Sequence, residues 1–204
     1  MKIYFKILLI SLLMSFSFTQ LSAAIYISAD GSYGKINKYL EQTLSVGAKG
    51  SIAADINSNF RISYSYKYGI EKTHGYQDYT AGNTVYLYKT NSRTLTRVHA
   101  IDLIGVLYNG KYFVPFIFGG AAYKLYDMKY ENEAVSGVYK VNKKLGPVEN
   151  FGCGLSIALS SNFSLKVTNT WSPGMKLTPE EYLSSEGTKV YDSVTELGIS
   201  LVIR

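Results

Sequence analysis

Between Leu44 and Ile56 every second residue is small or apolar: Leu44, Val46, Ala48, Gly50, Ile52, Ala54 and Ile56. The positions between them carry Ser45, Gly47, Lys49, Ser51 and Asp55. A period of two held this long is a β-strand with two different faces, and few soluble strands run so far. Asn57-Ser58-Asn59 is a tight turn. Phe60 to Ile70 then repeats the pattern, with Phe60, Ile62, Tyr64, Tyr66, Tyr68 and Ile70 opposite Arg61, Ser63, Ser65, Lys67 and Gly69. A dry core does not accept Arg61 and Lys67. A hydrated or ion-paired lumen does, provided the apolar faces look outward into lipid.

The first residues support a chain that leaves the cytoplasm. Lys2 and Lys6 precede an apolar core from Ile7 to Phe18, and Ser22-Ala23-Ala24 closes it. This is the pattern of a secretory leader cut after Ala24, so the expected organisation is a signal peptide at 1–24 and one domain at 25–204. After Ala24 no apolar run approaches the ~20 residues a spanning helix needs. A chain that enters a membrane without such a helix must close into a barrel. A mean hydropathy of +0.01 is compatible with this, because outward apolar and inward polar residues cancel. The 19 tyrosines suit both strands and a bilayer interface.

The formal charge of +6 falls to +4 once Lys2 and Lys6 leave with the leader. The basic residues are scattered, and nucleic-acid binding needs a clustered stripe, so no nucleic-acid partner is expected. A mildly basic surface could attract anionic lipid or polysaccharide. The single cysteine, Cys153, cannot form an internal disulfide and lies in a strand pattern as a small apolar side chain.

Eight segments alternate along the chain: 25–34, 44–56, 60–70, 96–108, 111–126, 148–159, 163–171 and 193–204. In 111–126 both faces are apolar or small, and inside and outside are assigned neither there nor in 96–108. Pro115 requires a strand start or broken pairing. The connections alternate in length. Short ones fall at 57–59, at Asn109-Gly110 (a strong hairpin signal) and at Ser160-Ser161-Asn162. Long ones, read as loops, fall at 35–43, 71–93 (with room for strand extensions around Thr84 to Tyr88), 127–146 and 172–189. Short periplasmic turns opposite long extracellular loops define an up-and-down outer-membrane barrel. The fold class expected is therefore all-β, an antiparallel up-and-down transmembrane β-barrel of about eight strands.

His99 through Tyr108, Pro115 through Tyr123, and Phe151-Gly152-Cys153-Gly154-Leu155 through Asn162-Phe163-Ser164-Leu165 resemble the small outer-membrane β-barrel family. That family includes the OmpA membrane domain, OmpX-like proteins and opacity-type surface antigens. The resemblance implies location in the bacterial outer membrane among lipid and lipopolysaccharide. It implies insertion by the barrel-assembly machinery and surface loops that meet an extracellular or host ligand. One departure is Arg204, where such chains usually end in an aromatic residue.

An eight-stranded barrel has a lumen just wide enough for side chains to fill. Lys49, Asp55, Arg61, Lys67 and Glu196 are the candidates for a polar plug. No catalytic, cofactor or metal site is assigned. His74 and His99 have no second ligand at metal-binding spacing. The family that the chain resembles contains lipid A-modifying enzymes, some with a Ser-His-acid arrangement; on that resemblance His99 as a base would want a serine two residues on, where Ile101 stands. Glu180-Glu181 and Lys143-Lys144 fit solvated loops, and Gly119-Gly120 fits close packing where the barrel curves. The tyrosines on 60–70 and those near strand ends suit an interfacial girdle. The expected role is a surface protein acting through its loops. The alternatives are a narrow conduit, a lipid A-modifying barrel and a soluble lipocalin-like barrel.

Overall fold

A computed structural model describes residues 24–38, 41–81, 84–133, 135–176 and 188–203. Among them run eight strands: β1 (Ile25–Lys38), β2 (Glu41–Asp55), β3 (Phe60–Ala81), β4 (Thr84–Val106), β5 (Phe113–Asn132), β6 (Val135–Ala158), β7 (Phe163–Lys176) and β8 (Thr188–Ile203). They form a closed barrel in sequence order, every neighbour antiparallel, with β8 pairing back onto β1 from Ile25↔Ile203 to Gly31↔Leu197. No described helix is long and apolar enough to cross a membrane.

The burial pattern is that of a soluble protein turned inside out. Ile52 is 56% exposed and Ile101 59%, whereas Asp30 is 5% and Glu196 3% exposed. The pleat sends the outward residues Ile27, Val46, Ile62, Leu103 and Ile199 to one surface and Ser28, Lys49, Ser63, Asp102 and Ser200 to the other. An apolar exterior of this extent is stable against lipid and not against water. It contradicts the soluble lipocalin-like alternative, which needs the reverse.

Three of the four expected long loops are strands. β1 and β2 pair up to Lys38↔Glu41, β3 and β4 up to Ala81↔Thr84, and β5 and β6 up to Asn132↔Val135. The extensions are rich in residues of high β propensity, such as Thr73, Tyr76, Tyr88, Thr90 and Tyr130. Their periodicity is hidden because the faces exchange character along the same strand. Low on β5 the outward residues are Ile117, Gly119, Ala121 and Tyr123. Higher up they are Asp127, Lys129 and Glu131, and the inward ones are Tyr126, Met128 and Tyr130. Outside is lipid below that point and water above it. The exchange falls between Ile70 and Lys72 on β3 and, on β4, between His99 and Arg97, which is ion-paired with outward Asp127 of β5; this marks the outer edge of the bilayer. In the fourth expected loop, β7 and β8 reach Lys176 and Thr188, paired with each other. Residues 177–187, with Glu180-Glu181, lie outside the described residues.

The Asn109-Gly110 expectation needs a second correction. The β4–β5 connection spans 107–112, wider than a two-residue hairpin. Pro115 has no N–H to donate, so the ladder ends on one bond, from the Leu107 amide to the Pro115 carbonyl at 3.0 Å. The same strand now has its faces assigned. Phe116 and Phe118 point inward, opposite Gly154 and Gly152, where a Cβ would run into the two rings. Higher on β6, Gly146 takes a φ of 145°, which favours glycine, beside the register shift between Ala122 and Lys124.

Candidate functional site

The lumen at bilayer depth is built in rows. Because paired residues on neighbouring strands share a face, the register carries one inward residue type around the wall. Ser164, Ser200, Ser28, Ser51 and Ser65 are successive partners across β7, β8, β1, β2 and β3. The next inward row reads Lys166, Gly198, Asp30, Lys49 and Lys67. Glu196, one inward position further along β8, reaches across this row. It is ion-paired with Lys49 and, at 3.1 Å, with Lys67. Asp30 lies 3.6 Å from Lys49 and 3.8 Å from Lys166. Its side chain is 1% exposed and that of Glu196 3%, so both carboxylates depend on these lysines for the stabilisation that water would otherwise give.

Glycine makes the network geometrically possible. Gly198 sits between Lys166 and Asp30 in the row, and a Cβ there would strike the Asp30 carboxylate. Without a side chain on β8, residues on β7 and β1 meet directly. Gly120 does the same on the far wall, where the Asn150 amide donates to Asp102 at 2.7 Å across β5.

A second ionic group sits nearer the periplasmic turns. Arg61 pairs with Asp55 at 2.8 Å, its direct partner across the β2–β3 turn. The guanidinium lies 4.0 Å from the centre of the Tyr26 ring, and the Tyr26 hydroxyl donates to the other Asp55 oxygen at 3.1 Å. Between the two groups is a cavity of about 230 Å³ bordered by Ser28, Ser51, Ser164, Phe116 and Lys166, with Asn109 and Lys111 at its mouth.

Of the five plug candidates, Lys49, Lys67 and Glu196 thus come together, while Asp55 and Arg61 form a separate pair. Sequence reasoning passed over Asp30, Lys166 and Asp102. The first two stand on the polar faces of segments already recognised, so alternation alone could have found them. Asp102 belongs to a strand whose inside and outside were visible only from pairing.

The remaining candidates stay apart from this network. His99 faces outward, with its Nδ1 2.8 Å from the Tyr64 hydroxyl and its ring 4.9 Å from that of Tyr66. His74 lies 2.7 Å from Asn91, on the outward face above the bilayer edge. Lys144 is exposed and Gly119 opens outward. Cys153 is exposed on the lipid side. Among the described residues there is no group of three metal-ligating side chains.

Fold and lumen together define a class: a small transmembrane β-barrel of the outer-membrane type, with ion pairs packed across its interior. The solved structures agree on the fold. The N-terminal β-barrel domain of Pseudomonas aeruginosa OprF superposes with a TM-score of 0.53 at 14% identity, over 90% of this chain and 100% of that one. A major outer membrane protein from Thermus thermophilus gives 0.52 at 13% identity, over 89% of this chain and 100% of that one. No family model matches the sequence, and no curated protein matches it.

Proposed function

We propose that the chain is a bacterial outer-membrane surface protein whose barrel is a plugged anchor and whose raised hairpins are its working surface. The observation that carries this is a contrast in depth. At bilayer level the lumen is crossed by Lys49, Lys67, Lys166, Asp30 and Glu196. Above it, β3 to β6 continue to 22, 23, 20 and 24 residues, although a tilted spanning strand needs only about 9–11. The surplus is roughly 30–50 Å of strand at ~3.3 Å per residue. Much sequence is thus spent on surface and little on a pore. One of the two superposed proteins is named as a major outer membrane protein, which supports the same location. On this reading residues 1–24 are removed on export and the barrel-assembly machinery inserts the rest. The role is interaction with an extracellular or host ligand, not catalysis.

Planar-bilayer recording with a hairpin-trimmed variant tests this. The intact barrel is expected to give no steady conductance, and trimming β3–β4 above Lys72 should abolish ligand or cell-surface binding without unfolding the barrel. A steady open channel in the intact protein would overturn the plug. It would bring forward the narrow conduit.

A further inference from the structure

The outward face holds a second row, made of charge. Lys72 on β3 is the partner of Arg93 on β4, Arg93 of Lys129 on β5, and Lys129 of Lys140 on β6. All four are exposed. Lys35 on β1 and Lys144 on β6 are exposed on the same outer surface. Like charges placed directly opposite one another across strands are destabilising. A run of four is therefore unfavourable unless an anion lies over it. The protein supplies little of one. Lys129 pairs with Glu131 at 2.9 Å, and Arg97, below the row, pairs with Asp127 at 2.6 Å. Lys72, Arg93 and Lys140 have no carboxylate within ion-pair distance among the described residues.

The position of the row says what kind of anion fits. Lys72 is the next outward residue after Ile70, where the apolar exterior of β3 ends, and on β4 Arg93 stands one outward position above Leu95, with the Arg97–Asp127 pair just below. From there the row climbs. Lys72 is 12 residues from the start of β3, and Lys140 is 18 from the end of β6. With ~3.3 Å per residue and the usual barrel tilt, that difference is a rise on the order of 15 Å. The row thus begins at the plane of lipid phosphates and ends where headgroup saccharides lie. A soluble polyanion would gain nothing from a row that starts against hydrocarbon.

We propose that Lys72, Arg93, Lys129 and Lys140 bind the phosphate groups of a glycolipid in the outer leaflet. The lipid would sit alongside β3 to β6 with its acyl chains on the aromatic and aliphatic belt below. Arg93, with its planar fork, suits bidentate contact with a phosphate, and the lysines add point charges on either side. This rests on the membrane reading above, and the test separates the two.

The mature barrel is placed in phosphatidylcholine nanodiscs and titrated with fluorescent diphosphorylated lipid A. Wild type is compared with K72Q/R93Q/K140Q and with K111Q at the periplasmic turn. Heat-dependent gel migration is recorded for each. We expect at least tenfold weaker binding for the triple variant and no change for K111Q. Dephosphorylated lipid A should bind wild type as weakly as the phosphorylated form binds the triple variant. Should the triple variant fold poorly, R93Q and K140Q singly should each weaken binding two- to fivefold. Wild-type affinity in a folded triple variant would overturn the site and leave the barrel intact. Competition by dextran sulfate from solution, as tight as the embedded lipid, would also overturn it and assign the row to a soluble polyanion. Loss of the heat-dependent shift in wild type would instead sink the membrane reading.

Discussion

Two interiors stand one above the other in this barrel. At bilayer depth the inward residues are Ser28, Asp30, Lys49, Lys67, Lys166 and Glu196. Above the bilayer edge, on the same strand face of β5, they are Tyr126 and Met128, packed with Leu145 of β6 and against Val141 and Val148. Neither interior follows from its strand alone, because β5 contributes to the belt below and to the cluster above without changing its pleat. The solvent outside decides. Where lipid surrounds the wall, apolar side chains are free to face out and the lumen takes the polar ones. Where water surrounds it, the usual arrangement returns. The lower interior is held by charge and needs each partner; the upper one is held by apolar contact and tolerates gradual loss.

The largest effect should come from Glu196→Ala. It leaves Lys49 and Lys67 facing each other without their shared carboxylate. Removing one partner from a buried pair costs about 3–5 kcal/mol, and partial solvation of the lysines favours the lower end. Urea titration of the folded band in detergent would read the loss. Glu196→Gln should recover only part of it. Next is Gly198→Leu, which pushes a side chain between Lys166 and Asp30. Overpacking of this kind costs typically ~1–3 kcal/mol, measured the same way. A neutral result at either position would show that water, rather than ion pairing, carries the lower interior.

Met128→Ala should act more locally. A buried Met→Ala change costs ~2–5 kcal/mol in a full core, but here the loss falls on the raised β5–β6 hairpin. Limited proteolysis should cut between Leu125 and Leu145 several times faster, while the boiling-dependent shift of the barrel is kept. Smallest of all should be the effect on the barrel of replacing residues 73–92 by a short turn, with the urea midpoint of the folded band little changed. If trimming unfolds the barrel, the two interiors are one cooperative unit and the comparison fails.

The lower half of the molecule was legible in the sequence. The alternation in 44–56 and 60–70 named the hairpin, its faces and the residues Lys49, Arg61 and Lys67, because lipid outside and a polar lumen inside give a clean period of two. Pairing, not the sequence, explains Gly152 and Gly154, which accommodate Phe118 and Phe116. The upper half reads as loops in the sequence, apart from room for strand extensions around Thr84 to Tyr88, which fall within β4. The faces exchange character near Ile70, His99 and Leu125, so a window spanning the exchange averages to no period at all. Partners across strands were out of reach for a different reason. That Glu196 meets Lys49 and Lys67 depends on β8 closing onto β1, and that Lys72, Arg93, Lys129 and Lys140 form one row depends on three registers in succession. No local pattern encodes either.

The most direct test is to express the whole chain, residues 1–204, isolate outer membranes, and compare gel migration before and after boiling. An outer-membrane protein that runs faster unboiled than boiled is the expected result, since a closed barrel resists detergent until heat opens it. A protein recovered in the soluble fraction, with the same migration in both lanes, would contradict the inverted barrel itself.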